Sequence, residues 1–138
     1  MRHWVIDTNV VVSGLLNPHG PPGKILDAVM DGRVTMVYDA RIIAEYRDVL
    51  HRPRLRLRRT RISAFLAGLR SQLQVTPAVE PSTGPDADDL KFIQAALATS
   101  ERTIVTGNVD DFPTAILGGA TVLTPAEAVA VLRADVRP

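Results

Sequence analysis

The sequence predicts an α/β fold with a mainly parallel central sheet, and two observations support this prediction. Short apolar runs without polar alternation fit strands that are buried on both faces. Amphipathic segments with helical spacing lie between these runs, as expected where helices connect parallel strands. The chain has 138 residues, the length of one ordinary domain, so we expect a single domain over residues 1–138.

Each predicted element rests on a local pattern. The predicted strands are residues 4–6, 34–38, 102–105 and 121–123. The predicted helices are residues 22–30, 39–50, 62–73 and 87–98, followed by a last helix after Thr124. Proline- and glycine-containing segments at 17–23 and 77–85 are predicted to be surface loops.

Two helices carry recognisable start signals. Asp39 is predicted to cap the helix that follows it, and Pro53 lies beyond the end of that helix. The run Thr124-Pro125-Ala126-Glu127 places a capping threonine, a proline in the first turn and a returning glutamate.

Composition excludes several classes of protein. Apolar residues make up 46% of the chain and charged residues 22%, which is typical of a globular protein. The absence of cysteine excludes disulfides, a thiol nucleophile and thiolate metal sites. Residues 10–16, an apolar stretch near the start, are too short to span a bilayer and follow no basic leader. We therefore expect a cytoplasmic protein with no membrane partner.

Two further kinds of site are not expected. The three histidines, His3, His19 and His51, lack metal-ligand spacing to one another. Ser13 has no histidine partner at an interpretable spacing, which argues against a serine hydrolase.

Charge is balanced in total but separated along the chain. The formal net charge is +1. Four acids lie between residues 80 and 89 without a base: Glu80, Asp86, Asp88 and Asp89. Six arginines lie between residues 52 and 61 without an acid: Arg52, Arg54, Arg56, Arg58, Arg59 and Arg61. Such arginines either grip the phosphates of RNA or form a solvated face. Aromatic residues make up only 4%, which argues against extended base-stacking platforms.

Asp7 and Asp89 are the acids whose positions are most informative. Asp7 follows a predicted strand, where parallel sheets bind ligands, although an aspartate there also caps helices. On a helical wheel Asp89 lies within about 40° of Ile93 and Ala96, in the apolar stripe of its helix. Asp88 faces outward with Lys91 nearby. A carboxylate aimed at the core is costly unless it is paired or binds a metal, so Asp89 indicates a site.

Other acids are ambiguous by position alone. Glu45 lies near the edge of the apolar stripe of its helix, where geometry favours an exposed acid paired with Arg41 or Arg52. After the third predicted strand, Asn108, Asp110 and Asp111 either form turns or belong to a site at the strand end.

Convergence of these groups would create a metal site. If Asp7, Glu45, Asp89 and one of the later polar groups meet, their charges repel and some stay protonated unless a cation intervenes. Oxygen ligands favour magnesium or manganese. Such an ion orients and activates water and stabilises the charge on a phosphodiester. The pattern then predicts metal-dependent phosphodiester cleavage.

Four motifs carry a resemblance to a known family. Residues 5–16, which begin Val5-Ile6-Asp7-Thr8-Asn9, resemble the start of PIN-domain proteins, especially the VapC-like toxin components of bacterial toxin–antitoxin pairs. The later motifs follow in the family's order: Glu45-Tyr46-Arg47-Asp48-Val49-Leu50, Asp86-Ala87-Asp88-Asp89-Leu90-Lys91-Phe92, and Thr106-Gly107-Asn108 with Asp111-Phe112. The resemblance spans residues 4 to about 130.

The resemblance implies a three-layer α/β/α fold and a magnesium- or manganese-dependent ribonuclease. It assigns Asp7, Glu45 and Asp89 as the core catalytic and metal-binding acids. It also implies an RNA substrate, a cognate antitoxin and a homodimer. An antitoxin's acidic segment and RNA would compete for the arginine-rich stretch.

One motif departs from the family pattern. Many members have aspartate after Thr-Gly, where this chain has Asn108. Either Asp111 completes the site or Asn108 holds a metal-bound water, which leaves one or two metals open. Thr8, Asn9 and Thr106 are expected to orient ligands or water around the site, or only to cap helices.

Two alternatives come from other functional classes. A magnesium-dependent phospho-acceptor or phosphatase domain also has an aspartate at a strand end, but it needs a late lysine, and none follows Lys91. A catalytically weak or inactive RNA- or antitoxin-binding module is favoured by Asn108. Glu45 and Asp89 at matching positions argue against it.

Overall fold

The computed structural model describes residues 1–77 and 87–136, which form an α/β fold around a five-stranded sheet. All strands are parallel, in the order β3-β2-β1-β4-β5. They are β1 (Arg2–Ile6), β2 (Val34–Tyr38), β3 (Leu73–Gln74), β4 (Thr103–Val105) and β5 (Thr121–Leu123). The parallel sheet confirms the predicted fold class.

In the described part of the chain, six α-helices cover the sheet and complete the three-layer arrangement. They are α1 (Thr8–Leu16), α2 (Pro21–Met30), α3 (Ala40–Leu50), α4 (Arg59–Gly68), α5 (Ala87–Leu97) and α6 (Pro125–Val136). Helices α2 and α6 pack together, and α5 packs across β1, β2 and β4. Parallel crossover connections are right-handed in nearly all proteins, and this chain reverses direction across the sheet after β3, which places α2 and α5 on opposite faces.

The central strands form the core. Trp4, Val5 and Ile6 of β1 are buried, as are Ile104 and Val105 of β4. These strands were predicted from their continuous apolar runs, which suit a sheet covered on both faces. Since the connections leave β1 in one direction and β4 in the other, the carboxyl ends of these two strands form the point where such folds bind ligands.

The predicted helix over 62–73 is wrong at its carboxyl end. Helix α4 stops at Gly68, a 3₁₀ turn covers Leu69–Ser71, and Leu73–Gln74 adds β3 to the edge of the sheet. The Tyr38 hydroxyl donates to the Leu69 carbonyl at 2.9 Å and holds this turn against β2. A two-residue edge strand has no apolar pattern of its own, so only its tertiary hydrogen bonds define it.

The two start signals are confirmed. The Asp39 carboxylate accepts hydrogen bonds from the amides of Arg41 and Ile42 at the start of α3. At the start of α6, the Glu127 amide donates to Thr124 Oγ1 at 3.1 Å, and the Thr124 amide donates to Glu127 Oε1 at 2.9 Å. This is the reciprocal capping box.

The two predicted loops have different outcomes. The loop at 17–23 is shorter than expected because α2 begins at Pro21. A Cβ atom on Gly23 would lie 2.2 Å from the Pro18 carbonyl oxygen, so only glycine fits there. Most of the predicted 77–85 loop, with Glu80 and Asp86, lies outside the described residues. Among residues 1–77 and 87–136, no helix has the length and apolarity needed to cross a membrane.

Candidate active site

Asp7 stands at the carboxyl end of β1 with its carboxylate buried against β4. Its amide donates to the Val105 carbonyl at 2.9 Å, and its Oδ2 accepts from Thr106 Oγ1 at 2.8 Å. Asp7 also occupies the N-cap position of α1, but its side chain makes no capping hydrogen bond. The carboxylate is therefore held by the neighbouring strand rather than used as a helix cap.

The surroundings of Asp7 disfavour its charged form. Burial, the largest cause, raises the pKa of Asp7 from 3.8 to about 6. The Thr106 hydroxyl hydrogen bond and the nearby Thr8 backbone amide lower the pKa, whereas the charges of Glu45 and Asp89 raise it. A carboxyl group shifted in this way, by burial and by like charges, marks a place where a cation would be stabilised.

Glu45 reaches the same region from α3. Thr8 donates its hydroxyl hydrogen bond to Glu45 Oε2, and Lys91 Nζ lies 2.9 Å from Glu45 Oε1. The expected pairing with Arg41 or Arg52 is wrong, because each of these arginines has another partner. Arg41 pairs with Asp39 at 2.6 Å, and Arg52 pairs with Asp48 at 3.3 Å.

Tyr46 ties α3 to the strand that ends at Asp7. Its buried hydroxyl donates to the carbonyl of Ile6, the residue before Asp7. Its ring packs edge-on against the Phe65 ring, with the two ring centres 5.9 Å apart. Burial, the largest cause, together with the charges of Asp7, Glu45 and Asp39, raises the pKa of Tyr46 well above its ordinary value, so it remains a neutral donor. The apolar spacing of α3 indicates a buried Tyr46 but not this hydrogen bond.

Helix α5 presents Asp89 and Lys91 to the site. Asp89 is half-buried rather than enclosed in the core, while Asp88 is exposed as expected. Burial, the largest cause, raises the pKa of Asp89, and the charges of Asp111, Asp88 and Glu45 act in the same direction, opposed by Lys91. The charges of Asp89 and Glu45 therefore both raise the pKa of Asp7, and the charge of Glu45 also raises the pKa of Asp89.

Lys91 does not lie where its helical-wheel position predicts. It was expected near Asp88 on the outward face, but it is 8% exposed and its ammonium contacts Glu45. Side chains of a helix point back toward its amino terminus, and a lysine is long enough to reach past the first turn. The wheel position of its Cα therefore does not report where its charge lies.

The segment after β4 brings the remaining polar groups to the edge of the site. Asn108 Nδ2 donates to Asp111 Oδ2 at 2.7 Å, and the Asn108 amide donates to Thr106 Oγ1 at 3.0 Å. Asn9 Oδ1 accepts from the Gly107 amide at 3.1 Å, which joins α1 to this segment. Asn108 and Asp111 are both exposed.

The donor set fits a hard divalent cation held with water. The acids and Asn108 all offer oxygen, and the buried Asp7 forms no ion pair in the described residues. Within residues 1–77 and 87–136, however, no three acidic or histidine side chains are close enough together to enclose a metal ion. Magnesium is usually bound through one or two carboxylates with several waters, so the site does not need such a cage.

The six predicted RNA-binding arginines lie on the segment between α3 and α4 and on the first turn of α4. Every one of them is exposed. In the described part of the chain, only Arg52 among the six forms an ion pair. Arg56 has a φ of 53°, in the left-handed region, which turns the chain before α4 begins. The stretch is therefore a largely uncompensated positive surface.

Comparison with known protein families shows the family to which this chain belongs. The family model described as "PIN domain" matches residues 3–110. This range includes the residues of the candidate site except Asp111. The chain is a PIN-domain protein. PIN domains are generally nucleases and typically use divalent metal ions, so the family agrees with the chemistry of the acidic groups.

A curated relative supports the same membership of the PIN-domain family. The uncharacterized protein MJ1680 of Methanocaldococcus jannaschii is 36% identical over 110 residues, covering 77% of this PIN-domain chain and 70% of its own length. No solved structure matches the chain at a significant level.

Proposed function

We propose that this PIN domain is a magnesium- or manganese-dependent endoribonuclease whose acidic site contains Asp7, Glu45, Asp89 and Asp111. The observation that carries the proposal is Asp7 itself. Its carboxylate is buried at the sheet's ligand-binding edge, and burial with the charges of Glu45 and Asp89 raises its pKa to about 6. A divalent cation relieves that conflict.

Asp7 and Asp89 are the residues proposed to hold the ion. When bound, magnesium or manganese neutralises charge on a phosphodiester and activates water for attack. Thr106 fixes the orientation of Asp7 through the 2.8 Å hydrogen bond. Thr8 fixes Glu45, and Asn9 fixes the Gly107 backbone beside them. Asn108 orients Asp111 at the rim.

RNA is the proposed substrate because of the arginine-rich surface. The six exposed arginines, from Arg52 to Arg61, offer planar guanidinium groups that suit phosphate oxygens. Only one of them is neutralised by a carboxylate in the part of the chain that the structure describes. The phosphates of RNA supply the negative charge that neutralises these arginines.

The proposed biological role is that of a toxin neutralised by a cognate antitoxin. The motif pattern, which resembles VapC-like proteins, supports this role, and with it a homodimer and a cytoplasmic location. The antitoxin would compete with RNA for the arginine-rich surface through an acidic segment.

A second candidate is an RNA- or antitoxin-binding module with little or no cleavage. Asn108 favours it, because a neutral amide replaces a carboxylate that many PIN domains have at this position. In this protein, the side-chain amide of Asn108 donates from Nδ2 to Asp111 Oδ2 at 2.7 Å.

An assay on labelled RNA distinguishes the two candidates. The purified protein is incubated with a panel of RNAs in manganese, in magnesium and in chelator. The nuclease proposal predicts cleavage that either metal supports and the chelator stops. Retention of RNA without cleavage in any of these conditions favours the binding module, and neither binding nor cleavage contradicts both.

A further inference from the structure

Lys91 is a buried lysine in a chain that has only one other. Lysine is almost never fully buried unless it is paired. Lys91 is 8% exposed, whereas Lys24, the other lysine, is exposed. The burial of Lys91 therefore calls for a defined partner.

Three contacts fix the ammonium group of Lys91. Its Nζ lies 2.9 Å from Glu45 Oε1 and donates to the Asp88 carbonyl. It also lies 4.9 Å from the centre of the Phe92 ring, within the range of a cation–π contact. These contacts connect α5 with α3 at the acidic site and hold the positive charge against Glu45.

Both oxygens of Glu45 are engaged within the protein. Oε1 faces the Lys91 ammonium, and Oε2 accepts from the Thr8 hydroxyl. A divalent ion bound to Oε1 would lie beside a fixed positive charge and be repelled by it. The charge of Glu45 is therefore already compensated.

Asp111, at the exposed rim, is held by the side-chain amide of Asn108 at 2.7 Å, so the unpaired charge deeper in the site lies with Asp7 and Asp89. Neither carboxyl is paired with a lysine or arginine among the described ion pairs. The side-chain hydrogen bond that Asp7 accepts comes from the neutral hydroxyl of Thr106, at 2.8 Å, so it brings no positive charge to this carboxyl.

We infer that Lys91 is a built-in cation of the site: it neutralises and positions Glu45, so that the site takes one divalent ion, on Asp7 and Asp89. This inference rests on the proposed metal-dependent function and specifies how many ions it uses. Lys91 is a positioning residue in this scheme, because it acts through Glu45. Glu45 then lies beside the ion without ligating it.

The test is the number of manganese ions bound per chain, measured on the full-length protein by counting free Mn²⁺ with electron paramagnetic resonance. Wild type is expected to bind one ion. Lys91→Met leaves Glu45 uncompensated and is expected to bind two. Lys91→Arg keeps the charge and is expected to bind one, as is Lys24→Met, the matched control.

Two further variants keep the test informative if Lys91→Met does not fold, as judged by circular dichroism. Glu45→Gln is expected to retain one ion, because Glu45 is not a ligand, whereas Asp7→Asn is expected to bind none. Loss of the ion in Glu45→Gln would overturn the inference.

The outcomes separate this inference from the proposed function. Two ions bound to wild type, or one bound to a folded Lys91→Met, overturns the role of Lys91 and leaves the metal-dependent nuclease intact. No manganese bound to wild type contradicts the proposed function itself, and the inference with it.

Discussion

The hydroxyl of Thr106 lies 2.8 Å from Oδ2 of Asp7, and this hydrogen bond joins the carboxyl ends of two adjacent parallel strands. Thr106 is fully buried, and its oxygen also accepts from the Asn108 amide at 3.0 Å. A donated hydrogen bond stabilises the ionised carboxylate. Thr106 therefore lowers the pKa of Asp7 and opposes part of the increase that burial causes.

Thr106→Val should shift the pH dependence of cleavage. Without the hydroxyl, the pKa of Asp7 rises above about 6, since the hydrogen bond lowers it. We expect the acid limb of the pH–rate profile to move to higher pH by roughly one unit, the effect of losing one hydrogen bond to a charged group. Thr103→Val, at a buried threonine of β4, is the control and should leave the profile in place. An unshifted acid limb in Thr106→Val would show that Asp7 does not control it.

Asp7 should make the metal-free protein less stable as pH rises. Its pKa is about 6 in the folded state and 3.8 as a reference for the unfolded state. The folded state therefore holds the extra proton between these values, and its advantage is lost as pH rises from about 4 through about 6. The loss is about 3 kcal/mol at most.

Asp7→Asn tests this expectation in chelator. The amide has no charge to bury, so the variant should have a higher free energy of unfolding than wild type at pH 7 and little advantage at pH 4. Urea unfolding at both pH values measures the difference. Asp31→Asn, at an exposed position, is the control. Equal stability of wild type and Asp7→Asn at pH 7 would contradict the unfavourable burial of the carboxylate.

The two tyrosines of the chain allow a matched comparison. The hydroxyls of Tyr46 and Tyr38 are both buried and donate to backbone carbonyls, those of Ile6 and Leu69. Each Tyr→Phe substitution should cost about 1–2 kcal/mol of unfolding free energy. Only Tyr46→Phe should also lower the cleavage rate, because it releases the end of β1 before Asp7. Equal cleavage by the two variants would limit Tyr46 to a role in stability.

The arginine-rich surface should control the salt dependence of RNA binding. Replacing Arg56, Arg58 and Arg59 with alanine removes up to three phosphate contacts. The slope of log K against log salt should then flatten by about 2, since each contact to single-stranded RNA contributes about 0.7. Alanine at Arg33, Arg70 and Arg133, which are also exposed, removes the same charge as a control. An unchanged slope in the first variant would assign that surface to another partner or to solvent.

Local patterns in the sequence were sufficient for most of the fold. The apolar runs of β1, β2, β4 and β5 and the caps at Asp39 and Thr124 depend on neighbours along the chain, and the structure confirms them. Strand β3 depends on pairing with β2 in space, where Val37 aligns with Leu73. A two-residue strand therefore could not be recognised from its own residues.

The sequence was sufficient to propose the carboxylates of the candidate site, but not the residues that pair with them. Asp7 was proposed because of its place after a strand, and Asp89 because of its position on α5. The partner of Glu45 was wrong, because Lys91 reaches it from another helix through a long side chain. Sequence spacing reports where a Cα lies on its own helix, but the meeting of α3 with α5 is set by tertiary packing.

The most direct measurement is the single-turnover rate at which purified Asp7→Asn cleaves RNA in saturating manganese, beside wild type. Circular dichroism first establishes that both proteins are folded. We expect a rate at least about 10²-fold lower, because the variant loses the charge that holds the ion. Cleavage by Asp7→Asn at the wild-type rate would contradict the acidic site as the centre of the reaction.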